Sequence, residues 1–548
     1  MSGRLRGADI VARTLVAAGV KRVFTLSGNH VMSVFDAALD AKLELVHVRH
    51  EAAAVHMADA WGRLTGDPGV ALVTGGPGHA NAVGALYTAA ASESPVVLLS
   101  GHAPLDELGR GAFQELRQAD VAAPLAKASW TASSAATLGR DLARALAIAK
   151  AGRPGPVHLS LPTDILDPPI ADGDSALPDP QTFSAPTAAL ATAAAAAALT
   201  QLAGAARPVV LVGPALLRGR GRERAKRLES ATRVPVVGFE SPRGLSDPAI
   251  GAFAQVLSQA DLILLLGRHL DYTLQYGQTP AIGPGCRFVQ IDPDAEAIAR
   301  TSRSVGDRLI LSAVADAAPA AERLAELAAK LAWPKSGWFD EVQSAVRDRP
   351  AEWATLSSPS AGPVHPVEVC RAVQKLLDGH TDAVLVSDGG EFGQWAQACL
   401  AAPHRITNGP AGAIGAAVPF AAAARLAFPE SPVVAMSGDG AFGFHITEYD
   451  TAVRCGLPFV AVVGNDAAWN AERQIQLRTY GADRAVYCEL LPTRYDRVVA
   501  ALGGHGEHVS RASELPAALD RAFGSGRPAC VNVTIDRLPA PGLARRLS

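Results

Sequence analysis

Unbroken apolar runs of strand length recur along this chain: LELVHV (43–48), VALVT (70–74), PVVLLS (95–100), PVVLVG (208–213), LILLLG (262–267), AVLVSD (383–388), VVAM (433–436) and FVAVVG (459–464). They do not alternate with polar residues, so each strand is buried on both faces. The stretches between them carry helical periodicity. Parallel strands need crossover connections, and helices on both faces are what covers such runs. The pattern therefore predicts an α/β protein built from three doubly wound parallel-sheet domains. In such sheets ligands gather at the carboxyl ends of strands, where the strand order reverses.

Two composition shifts set the joints. Leu166 to Pro186 (LDPPIADGDSALPDPQTFSAP) is rich in Pro, Asp and Ser and reads as a linker. A second loose region runs from Pro334 to Pro366 and contains SSPSAGPVHP. The expected domains are 1–165, 187–333 and 362–548, each large enough for its own core. At 49% hydrophobic and 19% charged residues the chain is not a disordered one. A net charge of −3 provides no field for nucleic acid or an anionic membrane, and neither is expected as a partner.

Six scattered cysteines without a CxxC pair read as reduced thiols of a cytosolic protein. The first twenty residues place Asp9 and Arg13 at amphipathic-helix spacing, unlike a signal peptide. The Ala-rich stretch 187–206 is too weakly apolar for a membrane span. Together these features predict a cytoplasmic protein.

The segment 433–470 carries the most chemistry. A buried strand ends at Met436, Gly438-Asp439-Gly440 follows, and a helix is expected from about Phe442 to Cys455. The next strand ends at Asn465-Asp466. Neighbouring parallel strands finish on the same edge, so Asp439 and Asp466 can converge on one cation. The glycines admit a diphosphate between that cation and the helix start. Oxygen ligands shared with phosphates suit Mg²⁺. A lone GDG is an ordinary turn; GDG joined to a strand-ending ND by one helix and one strand is far more specific.

Here the sequence resembles the thiamine-diphosphate (ThDP) enzymes of the acetolactate synthase, benzaldehyde lyase and 2-hydroxyacyl-CoA lyase superfamily, whose pattern is GDG, about two dozen residues, then NN. The resemblance implies Asp439 and Asp466 as metal ligands by side chain and Ala468 by its carbonyl, with Gly438, Gly440 and Ala441 at the diphosphate. Asp466 stands where the family usually has Asn, which keeps an oxygen ligand and adds a charge. Asp388-Gly389-Gly390-Glu391-Phe392 matches the family's other diphosphate loop, and implies contacts from Gly390, Glu391 and Phe392. NGPAGAIGAAVPFA (408–421) resembles GGLGTMGFGLPAA, which makes Gly412 the carbonyl partner of the cofactor's amino group and Ile414 the apolar wedge beneath it.

The family activates its cofactor with a strand-ending Glu, and LELVHVRHE places Glu51 there. TGGPGHAN (74–81) stands where the family has TSGPGATN, implying cofactor contacts from Gly75, Pro77 and Asn81. His30 in LSGNHVMSVFD and Gln114 in RGAFQELRQ match residues that relatives place beside the cofactor, where either can handle a hydroxyl proton. His79 replaces a small residue and is expected to narrow the site. His102 and His445 read as packed or surface residues, and Trp469 as one that can also line the entrance.

The resemblance implies a ThDP- and Mg²⁺-dependent C–C lyase or carboligase, acting on a small molecule such as a 2-hydroxyacyl-CoA or an α-hydroxy ketone. Decarboxylating condensation of 2-oxo acids, as in acetolactate synthase, is the runner-up. A non-catalytic binding subunit of the same fold is the alternative from another class. A nicotinamide or flavin oxidoreductase rests on strand pattern alone. The middle domain's GRHLDYTLQYG (267–277) lacks the family's flavin motif, which weighs against FAD. The basic run RGRGRERAKR (218–227) reads as a solvated helix face or as a contact for the phosphates of a CoA ester. Complementary half-sites in the first and third domains imply a homodimer or homotetramer.

Overall fold

The computed structural model describes residues 5–170, 177–333 and 336–542. The apolar runs become three parallel sheets. The first holds β1 (Arg22–Thr25), β2 (Glu44–His47), β3 (Gly69–Val73), β4 (Val96–His102), β5 (Ala128–Thr131) and β6 (Pro156–Pro162) in the order 2-1-3-4-6-5. The middle sheet holds β7 (Pro208–Val212), β8 (Val236–Val237), β9 (Leu262–Leu266), β10 (Arg287–Asp292) and β11 (Leu309–Val314) in the order 11-10-9-7-8. The third holds β12 (Val384–Ser387), β13 (His404–Thr407), β14 (Val433–Gly438), β15 (Val460–Asn465), β16 (His505–Val509) and β17 (Ala529–Thr534) in the order 13-12-14-15-17-16. Counted from its own first strand, the third sheet repeats the order of the first. Both reverse direction between their first and third strands, β1/β3 and β12/β14, and those two crevices are where ligands belong.

Helices on both faces bury the runs, as the lack of alternation required: every residue of β3, β4, β6, β7, β9 and β12 is buried. One apolar cluster crosses from the first domain to the third. It joins Ala54, Met57 and Ala58 of the helix Glu51–Thr65 to Phe420, Ala421 and Ala424 of the helix Ala417–Ala427. Small alanine faces let these helices approach closely, and buried Arg63 seals the contact. Its guanidinium holds Asp59 at 2.7 and 2.5 Å, donates to the Thr407 carbonyl at 2.6 Å and lies over the Phe420 ring. The Glu51 helix is thereby fixed to the domain that carries Asp439.

Both segments read as loose are ordered in part. Of the first, residues 171–176 lie outside the described residues, and the rest leans on the first domain through Phe183 and Pro178. In the second, residues 334 and 335 lie outside the described residues. A helix, Trp338–Arg347, follows, and it inserts Trp338 and Val342 into the middle-domain core. Its apolar residues are four apart, a period that the flanking Ser and Pro residues mask.

Candidate active site

In the third sheet the chain leaves β12 through Gly389–Phe392 and β14 through Asp439–Phe442. These segments, with Ile414 and the stretch after β15, wall one cavity. Gly390, Glu391, Phe392, Ile414, Gly438, Asp439, Gly440, Ala441, Asp466 and Ala468 all line it, and Trp469 joins them. Gly412 is not in the wall; it takes φ +66° in a turn facing Pro242. A β-carbon on Gly440 would sit 2.6 Å from the Trp469 ring, and Gly390 has φ +82°, so neither position accepts a side chain without strain.

The helix expected over 442–455 is two pieces, Asp439–Phe442 and Glu448–Arg454. The chain breaks between them because Phe444 packs on Gly415 and His445 bonds the Gly415 carbonyl at 2.8 Å through Nδ1. Asp439 Oδ2 is buried with no hydrogen-bond partner. Burial, and then the neighbouring Asp466, push the Asp439 carboxyl up to about 7, and burial pushes Asp466 up to about 6. A buried carboxyl with an orphaned oxygen, beside a half-buried one whose charge raises its pKa, is a donor set suited to a hard divalent cation. Among the described residues no cluster of three His, Cys, Asp or Glu side chains is arranged for a metal. A cation held here completes its shell with backbone oxygen, water or ligand phosphate.

Below the cavity, buried Asp388 accepts the N–H groups of Gly389 (2.7 Å), Gly415 (3.0 Å) and Ala417 (3.1 Å), tying the loop that carries Gly412 and Ile414 to β12. Glu391 differs from a plain phosphate contact. Its carboxylate accepts the Ala540 N–H and faces Arg243 at 3.7 Å, so what it offers an anion is the backbone at the start of the helix Gly390–Cys399.

The first sheet's switch point gathers the other predicted residues. His30, past the end of β1, sets Nδ1 3.2 Å from Thr74 Oγ1 past the end of β3, and its ring stacks on Phe113. Burial lowers the His30 pKa, which keeps the imidazole neutral and able to accept a proton. Pro77 opens the helix Pro77–Ala91, and a residue before it Gly76 takes φ +58°. A β-carbon on Gly76 would lie 2.7 Å from that of Gln114, so the two segments touch. Glu51 is the first residue of its helix, is buried, and accepts a 3.1 Å hydrogen bond from Asn81 Nδ2. A β-carbon on Gly78 would be 3.4 Å from Glu51 Oε1, so the Gly-rich turn that includes Gly75 brings Glu51, Asn81, His30 and Gln114 around one spot.

Within one chain this group and the Asp439 cavity stay separate, since every residue of the cavity wall comes from 389–472. Phe113, beside His30, and Phe444, beside Trp469, are both largely exposed.

Two supporting residues escaped the sequence reading. Buried Gln118 accepts the Gly76 N–H at 2.8 Å and donates to the Gly101 carbonyl and Ser160 Oγ, both at 3.0 Å, so it holds the Gly-rich turn. Glu448 accepts the Arg49 N–H at 3.1 and 3.2 Å, which fixes the backbone just ahead of Glu51. His79 turns inward, against Ser100 (2.8 Å) and the His158 ring, and does not narrow the turn. His102 bonds the Ala103 and Leu116 carbonyls. In the basic run, Arg218 pairs with Glu240, and Arg224 and Arg227 with Glu322.

Family models described as thiamine pyrophosphate enzyme match all three blocks: the N-terminal TPP binding domain over residues 5–121, the central domain over 195–324 and the C-terminal TPP binding domain over 388–533. The chain is 35% identical to the acetolactate synthase large subunit IlvG of Mycobacterium tuberculosis, over 98% of this chain and 96% of the relative. It is 31% identical to 2-hydroxyacyl-CoA lyase 2 of Caenorhabditis elegans (97% and 90%) and 28% to the 2-hydroxyacyl-CoA lyase of Oryza sativa subsp. japonica (97% and 96%). With matches in all three blocks and a relative this similar along almost its whole length, the chain belongs to the thiamine pyrophosphate enzymes.

Proposed function

We propose that this protein is a ThDP- and Mg²⁺-dependent C–C lyase or carboligase acting on an α-hydroxy ketone or a 2-hydroxyacyl-CoA. Bound ThDP supplies the nucleophilic carbon and electron sink for making and breaking bonds next to a carbonyl. Asp439 and Asp466 hold the cation, and the glycine-rich segments of the cavity admit the diphosphate. Glu51, held in place by Asn81, would hold the proton exchanged with the cofactor's aminopyrimidine. The observation that carries the lyase reading is His30, a buried, neutral imidazole at the switch point beside the Gly-rich turn. A cleaved 2-hydroxy compound must lose its hydroxyl proton, and His30, with Gln114, is the group that would take it.

The second reading, decarboxylating condensation of 2-oxo acids, is favoured by two observations. The relative at 35% identity is named acetolactate synthase, and in the basic run that would meet CoA phosphates Arg218, Arg224 and Arg227 are already engaged by Glu240 and Glu322. The middle domain's own switch point lies between β7 and β9. Arg153 enters it, donating to the Gly267 carbonyl and to Asp292.

The separate half-sites and the exposed Phe113 and Phe444 support a homodimer or homotetramer in which a second copy completes each site. Turnover with ThDP and Mg²⁺ on pyruvate, benzoin and a 2-hydroxyacyl-CoA, followed by product mass, tests the function. Cleavage of benzoin or the CoA ester is expected; acetolactate from pyruvate with neither cleavage selects the second reading.

A further inference from the structure

The middle and third domains meet over a second cavity, of about 350 Å³, which the chemistry above leaves unused. It lies beside the edge strands β8 and β13, away from every switch point, and its size is that of a small-molecule pocket. Its wall includes the apolar Val236, Val237, Phe239 and Val346 together with Arg222, Arg405 and Gln397.

The charges there do not balance. Among the described residues, no carboxylate lies within ion-pairing distance of Arg405, whose one hydrogen bond is a long 3.4 Å contact to the Gln397 carbonyl. Arg222 donates only to the carbonyls of Leu217 and Pro403. Gln397 is 2% exposed, and its Nε2 has no acceptor. The two acids in the wall act on Arg405 only from beyond ion-pairing distance. Glu240 is already paired with Arg218, and buried Asp247 accepts the Ala249 N–H with its pKa raised by burial. Arg349, close to Asp247, also bonds only carbonyls. A guanidinium stays charged in proteins, so half-burying Arg405 with no carboxylate in ion-pairing contact is unfavourable unless a ligand supplies one.

We propose that this cavity binds a small organic carboxylate, its head between Arg405, Arg222 and the Gln397 amide and its body against the apolar residues. A carboxylate fits better than a phosphate on two grounds. The planar guanidinium fork matches its two oxygens, and an apolar wall penalises a dianion more than a monoanion.

The test uses the full-length protein loaded with ThDP and Mg²⁺, titrated calorimetrically with benzoate and butanoate at constant ionic strength, with chloride and inorganic phosphate as controls. Saturable binding of one of the carboxylates, at one site per chain, is expected. Arg405→Met should weaken it at least tenfold and leave ThDP affinity unchanged. The same substitution should raise the unfolding midpoint of the carboxylate-free protein, because it removes a half-buried charge that makes no ion pair. Carboxylate binding that persists in Arg405→Met belongs to the substrate site and overturns the proposal, as does binding of neither carboxylate. Phosphate binding as tightly as the better carboxylate overturns the ligand class. Should Arg405→Met fail to fold, Gln397→Leu is read by the same criteria.

Discussion

Glu51 owes its place to contacts from three directions. The His50 side chain accepts the Ala52 N–H behind it, Glu448 holds the Arg49 backbone ahead of it, and Asn81 reaches its Oε2 from the Gly-rich turn. Glu51→Gln keeps an oxygen for Asn81 and removes only the exchangeable carboxyl proton. The variant should therefore fold and bind ThDP and Mg²⁺ nearly as the parent does, while kcat falls by about 10²–10⁴; titration of the cofactor alongside steady-state rates separates the two effects. His79 shows the opposite case, a histidine beside the site whose effect is on stability. Burial brings its pKa down to about 4, against about 6.5 in the unfolded chain. Between those values the unfolded state binds a proton that the folded state refuses. The stability is intact above pH 6.5 and is lost as pH falls toward 4, at up to ~1.4 kcal/mol per pH unit. Urea midpoints measured from pH 7 to pH 4.5 should fall, and His79→Ala should flatten that slope.

At the scale of elements, the joint between the first and middle domains turns on Arg153. It reaches from the first domain past Glu93, with which it pairs, to Asp292 at the end of β10 (2.6 Å) and the Gly267 carbonyl after β9 (3.2 Å). Asp292 is fully buried, and burial raises the Glu93 pKa. Arg153→Met leaves both acids unpaired in a poorly solvated seam, which should cost about 3–5 kcal/mol, readable as a lower denaturant midpoint. Nothing in the sequence pointed to this contact, because it joins residues 139 apart through loops with no period.

The same distinction governs what was legible throughout. Strand runs and the GDG-to-ND spacing are local patterns, and the sheets and the Asp439–Asp466 pair follow from them. Gly412, expected as the carbonyl partner of the cofactor's amino group, stands in a positive-φ turn facing Pro242, a contact with no local pattern in the sequence. The helix after Asp439 looked continuous because its break depends on Gly415, some thirty residues earlier in the chain. Gln118 and Glu448 act across the fold on backbone N–H groups, and a backbone group leaves no residue-type signature to find.

For the whole molecule, the duplicated strand order has a consequence. The first and third sheets each end in a loaded switch point, but one chain does not bring the two together: the cavity around Asp439 has no first-domain wall, and Glu51 sits with Asn81 and the Gly-rich turn. In the homodimer proposed above, a two-fold axis would pair unlike halves twice and give two complete sites. Exposed Phe113 and Phe444, one at each half-site, supply apolar surface for such a contact. Mixing variants distinguishes this arrangement from a site made within one chain. Glu51→Gln and Asp439→Asn should each be inactive alone. Co-expressed in equal amounts and paired at random, they should recover about a quarter of the parental activity, since half of the dimers are mixed and each mixed dimer keeps one intact site. A mixture as silent as its components would mean that each chain uses its own Glu51 with its own Asp439, and the loops between the two domains would then have to move to close that gap.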